Sequence, residues 1–135
     1  MSKPETTFTN GVHKHLPAGR ENPYWMKNNN MYTAGIWDVW YSGPFADLWV
    51  EYKFEVLPAR DSTIVPIDLS ELQKDWGEKR YDEGRGLAVI VGRSAGGVIF
   101  TEPSDWLTPL TKAQFMKRLL TRQQIAAWII KRTSA

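Results

Sequence analysis

From Gly35 onward the chain alternates sharply between apolar and polar positions. GIWDVWYS and DLWVEYKFEVL are rich in aromatic and β-branched residues, and SGPFAD between them supplies Gly and Pro for a reversal. They read as a β-hairpin. The loop PARDSTIVP leads into DLSELQKDWGEKRYDEG, where Leu69, Leu72 and Trp76 recur at helical spacing, Asp68 or Ser70 can cap the start, and Gly84 marks the end. LAVIVGR is a continuous apolar run of strand length, RSAGG a turn and VIFTEP a return strand. TKAQFMKRLL and TRQQIAAWII read as two helices, because Thr111 with Gln114 and Thr121 with Gln124 fit the capping box. Ile125, Trp128 and Ile129 form the inner stripe of the second. Residues 1–34 show no sustained period, so a short helix near Thr7 to His15 followed by loop is expected there. The result is an α/β fold with at least four strands in its sheet: 1–34 as N-terminal helix and loop, 35–101 as sheet core, 104–135 as helical tail.

In the second hairpin strand, Asp47, Trp49, Glu51, Lys53 and Glu55 share one face, and Leu48, Val50, Tyr52, Phe54 and Val56 the other. A register in which paired residue numbers sum to 89 sets Asp38 opposite Glu51 and makes Pro44 and Phe45 the loop centre. Opposed carboxylates destabilise a sheet unless something compensates. A divalent cation is the obvious compensator, and hard oxygen ligands favour magnesium or manganese. Two carboxylates, the Tyr52 carbonyl and water suffice for an octahedral ion. Lys53, two residues from Glu51 on the same face, can hold an attacking water and offset charge on a phosphoryl group. Together these are parts for hydrolysing a phosphodiester. The bland alternative is a solvated sheet face with a cross-strand salt bridge.

Composition narrows the classes. A chain of 135 residues with 42% apolar content and seven Trp can bury a single core. The absence of cysteine removes disulfides, thiolate metal sites and cysteine nucleophiles, and two His make a histidine-rich metal site improbable. No apolar run approaches the ~20 residues that span a bilayer, and the polar start lacks a signal-peptide core, so no membrane association and a cytoplasmic place are expected, the host cytoplasm for a phage-encoded chain. From Leu107 to the end there are six basic residues and no acidic one, against eleven basic and fifteen acidic in the rest. This is a basic arm on an acidic body, whose lysines and arginines either grip DNA phosphates or line exposed helix faces. Gly92-Arg93-Ser94-Ala95-Gly96 matches the nucleophile elbow of serine hydrolases. Both histidines, His13 and His15, lie upstream of the serine, so a hairpin turn accounts for it better.

The Asp38 … Glu51-Tyr52-Lys53 arrangement resembles the signature of PD-(D/E)XK nucleases, and GIWDVWYSG … DLWVEYKFE … LQKDW … VIVG is similar to their VRR-NUC branch in phage-like proteins. The likeness runs from Gly35 to Gly92. It implies a restriction-endonuclease-like αβββαβ core with a central mixed sheet, Asp38 and Glu51 as metal ligands, Lys53 assisting the water, and DNA as substrate. For small members it implies a homodimer acting on branched or structured duplexes, related to Holliday-junction resolvases. Related nucleases also place a glutamine like Gln73 near the metal; here Gln73 either serves the site or closes a capping box with Ser70, the alternative cap being Asp68 with Glu71. Trp37 stands where the signature has proline. The helical acid that some relatives add has no clear counterpart, Glu5 and Glu21 being the choices, and His15 is a further candidate. Trp25, Trp37, Trp40 and Trp49 serve packing or a dimer interface. The rival functions are an inactive nuclease scaffold that binds a host protein or nucleic acid, and a structural assembly protein.

Overall fold

The computed structural model describes residues 2–18, 23–28 and 34–134. Helix α1 (Lys3–His13) precedes strands β1 (Tyr24–Lys27), β2 (Val39–Ser42) and β3 (Asp47–Phe54). A short strand β4 (Ile64–Val65) and helix α2 (Glu71–Asp82) lead to β5 (Leu87–Arg93) and β6 (Gly96–Phe100). The chain closes with α3 (Pro103–Trp106), β7 (Leu110–Thr111), α4 (Lys112–Lys117) and α5 (Arg122–Ser134). Five strands form one mixed sheet in the order β1-β2-β3-β5-β6. Among the described residues only β3 and β5 pair in parallel, and α2 lies in the crossover that a parallel pair requires. The order α1, β1 to β3, α2, β5 is the αβββαβ succession expected.

Helices cover both faces. On one, Phe8, Val12 and Leu16 of the N-terminal segment and Ile125, Ala126 and Ile129 of α5 pack on Tyr41, Leu48, Val50, Tyr52, Ala88 and Ile90. On the other, Trp37, Leu69, Trp106 and Phe115 pack on Leu87, Val89, Val91 and Val98, with Trp76 against them. A strand covered on both faces reads as an unbroken apolar run, which is why LAVIVG shows no alternation. Val39 pairs with Val50 and Ser42 with Asp47, the register summing to 89, and the turn closes with Gly43 N–H donating to Ala46 O at 3.1 Å. Gly92 faces Gly97 across the β5–β6 turn, so the serine-hydrolase-like segment is a hairpin.

Several expectations need correction. The first helix starts four residues earlier than Thr7 and ends at His13, because Ser2 caps it and a proline sits in its first turn. YWMK, expected as loop, is the edge strand β1, with Tyr24 opposite Ser42; four residues are too few to reveal a period, and pairing with β2 decides their conformation. The return strand begins at Gly96 and stops at Phe100, before Pro103. The small β4–β7 sheet and α3 were not expected. The face carrying Glu51 is not solvated, since α2 lies over it.

Candidate active site

Glu51 lies within β3, and α2 over this face leaves it 2% exposed. Its Oε2 accepts a hydrogen bond from Gln73 Nε2 at 3.0 Å and lies 3.4 Å from Lys53 Nζ. Lys53 Nζ in turn donates to Gln73 Oε1 at 3.0 Å. Glu51 and Lys53 share a face because they are two residues apart on a strand, and the first turn of α2 lowers Gln73 onto both. That turn is fixed by a capping box in which Ser70 Oγ accepts from Gln73 N and Gln73 Oε1 accepts from Ser70 N. Gln73 therefore serves cap and site together. Its carbonyl oxygen takes two donors and its amide nitrogen remains for Glu51.

Asp38 sits one residue before β2, where continuation of the register sets it beside Glu51. Its Oδ2 accepts from the Tyr52 backbone N–H at 3.2 Å. The Tyr52 side chain enters the opposite layer, where its hydroxyl lies 2.6 Å from that of Tyr41, and the Tyr41 hydroxyl lies 2.7 Å from His13 Nε2. The indole N–H of fully buried Trp37 donates to Gln73 O at 3.0 Å, so the residue that replaces the proline of the signature ties the Asp38 segment to α2.

The electrostatics of the pair are unfavourable as they stand. Burial pushes the Glu51 carboxyl up to about 8, Asp38 pushes it further in the same direction, and Lys53 opposes both. Asp38 is also raised by burial, against the Tyr52 N–H that stabilises its anion. Glu51 Oε1 is buried with no hydrogen-bond partner, a condition that costs about 1–3 kcal/mol for a neutral group and more for a charged one. A divalent cation between Asp38 and Glu51 would satisfy that oxygen and make both anions favourable, so the donor set fits a hard metal ion. Among the described residues no group of three or more His, Cys, Asp or Glu side chains is placed to hold one. The rest of such a shell has to come from backbone oxygen and water, which magnesium accepts.

No family model and no curated protein matches the chain. Among solved structures, one similar chain is Hjc, a Holliday junction resolvase from the archaeal hyperthermophile Archaeoglobus fulgidus. Its TM-score is 0.49 at 13% identity, covering 81% of this chain and 97% of that one.

Other candidate residues fall in different places. Glu5 of α1 adds to the rise of Asp38 and Glu51, so its charge is felt at the site. Glu21 lies outside the described residues. His15 is exposed and borders a surface cleft with Thr7, Asn10, Lys14 and Arg122, away from Glu51 and Lys53. Of the six basic C-terminal residues, three are used internally. Arg118 pairs with Asp105 and donates to Ile99 O, Arg122 donates to Ser94 O, and Lys112 donates to Ala59 O. Lys117, Lys131 and Arg132 are exposed. Sequence reasoning placed Glu55 on this face and Asp68 at the helix start but gave neither a role at the site; burial, and Asp68 beside it, push Glu55 up to about 7. The sequence signal was Glu55 itself, two residues beyond Lys53 on the same face.

Proposed function

We propose that the chain is a metal-dependent nuclease of the PD-(D/E)XK kind that hydrolyses DNA phosphodiester bonds. The observation that carries this reading is the buried Glu51 carboxylate, one oxygen held by Gln73 and Lys53 and the other without a partner beside Asp38. Asp38, Glu51 and the Tyr52 carbonyl would hold magnesium or manganese. When bound, the ion polarises the phosphate and lowers the pKa of water. Lys53, 17% exposed and bonded to Gln73, is held where its ammonium can orient water and face a phosphoryl oxygen. Gln73 fixes that ammonium and orients Glu51. Branched DNA is the proposed substrate and a homodimer the proposed acting form, since two sites are needed to cut two strands. The VRR-NUC branch is the proposed affiliation.

The test is cleavage of supercoiled plasmid and of a synthetic four-way junction, with magnesium, manganese or chelator, by the wild type, Glu51→Ala and Lys53→Ala. Metal-dependent cutting is expected in the wild type and a loss of at least about 100-fold in each variant with folding retained. Faster cutting of the junction than of the plasmid marks structure selectivity. The Lys53–Glu51 contact at 3.4 Å, which compensates the carboxylate without an ion, is the observation for a second reading, an inactive scaffold that binds DNA or a protein. Wild type that cuts nothing with either metal, and binds DNA equally with chelator, would establish it.

A further inference from the structure

At the end of the sheet where β3 and β5 begin lies a cleft of about 570 Å³ bordered by Phe45, Asp47, Trp49, Arg85 and Arg132. Phe45 is 77% exposed although its turn is not loose. Its N–H and that of Ala46 both donate to Thr133 O, at 3.1 and 3.2 Å, and the turn is closed by Gly43 N–H donating to Ala46 O. The opposite wall is held by Trp49 N–H donating to Gly86 O at 2.9 Å. Arg132 has no ion-pair partner among the described residues, and Arg85 has only a 3.8 Å approach to Glu83 with its side chain 66% exposed. Phe45 is thus a rigidly mounted, exposed ring beside one guanidinium with no ion-pair partner among the described residues and another that is only loosely paired.

We propose that this cleft binds an unpaired nucleotide of a DNA strand, with a base stacking on Phe45 and Trp49 and adjoining phosphates meeting Arg85 and Arg132. Aromatic faces flanked by cations are how single strands are held without sequence preference. Trp49 is two residues from Glu51 on the same sheet face, and Asp47 four residues, roughly 13 Å along the strand. An edge-on contact of Tyr24 with Trp40 and a tilted one of Trp40 with Trp49 continue the aromatic surface alongside. Tyr24 and Met26 leave it open to solvent, at 41% and 46% exposure. A strand engaged at Glu51 thus reaches the cleft within a few nucleotides. Bases inside a duplex have both faces covered, so only a frayed, flipped or branch-point base can stack there. The arginines beside the rings complement the phosphate charge of a nucleic acid, and a second copy of the chain is the occupant that the oligomeric state tests. The subsite rests on the nuclease reading for its substrate but not on cleavage for its test.

The experiment is fluorescence anisotropy of a labelled oligothymidylate and of a blunt duplex, in chelator so that nothing is cut. The proteins are wild type, Phe45→Ala, Phe45→Trp and the double variant Arg85→Ala/Arg132→Ala. Preference of the wild type for the single strand is expected, with a roughly 5- to 100-fold loss in Phe45→Ala and recovery in Phe45→Trp. The double variant should bind weakly and show a salt slope shallower by about 1.4, two phosphates at ~0.7 each. Equal binding of the single strand by all four proteins overturns the proposal. So does a wild-type dimer that Phe45→Ala converts to monomer without loss of DNA affinity, since the cleft is then a protein interface. Wild type that binds the oligonucleotide through these residues but never cuts DNA leaves the subsite standing and removes the nuclease. Wild type that cuts, with Phe45→Ala binding unchanged, does the reverse.

Discussion

Glu51 is the residue on which the site turns, because its burial is unfavourable alone and favourable with a cation. Its carboxyl ionises near 4.5 in an unfolded chain and is raised to about 8 in the fold. Between those values the folded state holds a proton that the unfolded state has released, so stability falls as pH rises through the window and the loss is complete above it. In chelator, urea midpoints of the wild type should decline from pH 5 to pH 8, while those of Glu51→Gln stay flatter. Magnesium should raise the wild-type midpoint more at pH 8 than at pH 5, because the ion displaces the proton. Parallel profiles for the two proteins, or equal stabilisation at both pH values, would sink the metal assignment at this residue. The identity of Asp38, Glu51 and Lys53 as neighbours was legible from strand alternation and one register. The depth of Glu51 was not, because burial depends on a helix twenty residues away in the chain.

At the scale of elements, α2 shows why one residue can resist assignment from sequence. Ser70 and Gln73 fit a capping box, and Gln73 also fits a place beside the metal, and these looked like alternatives. They coexist because a side-chain amide has a two-acceptor oxygen and a separate donor nitrogen, so the cap consumes only part of its capacity. The two roles separate by mutation. Ser70→Ala should cost about 1 kcal/mol through the lost cap while leaving the bonds from Gln73 to Lys53 and Glu51. Gln73→Ala should cost a similar amount and in addition lower metal affinity or cleavage by about 10–100-fold, the usual effect of losing a partner that orients a ligand. Equal activity in the two variants, measured where both are folded, would reduce Gln73 to a cap. The hairpin and the C-terminal capping boxes were readable because their signals are local. Strand β1 was not, since four residues carry no period and the ladder to β2 supplies the conformation.

At the scale of the molecule, the sheet divides two cores that touch function unequally. The α1–α5 layer holds Tyr52 from behind through Tyr41 and His13, while the α2 layer holds Glu51, Lys53 and, through Trp37, the segment of Asp38. Two glycines allow the layers to be stressed separately. A Cβ on Gly77 would lie 2.3 Å from Trp37 Cζ2, and one on Gly92 would lie 2.6 Å from the Phe8 ring. Each alanine overfills its layer, so Gly77→Ala and Gly92→Ala should each cost about 1–3 kcal/mol by thermal or urea unfolding. Only Gly77→Ala displaces the indole that bonds Gln73 and precedes Asp38, so only it should lose magnesium affinity beyond its loss of stability. The decisive comparison is metal titration at a temperature where both variants are fully folded. A loss of affinity shared by both means that the site is sensitive to any strain across the sheet. A loss confined to Gly77→Ala means that the site belongs to the α2 layer, with α1 and α5 as its support.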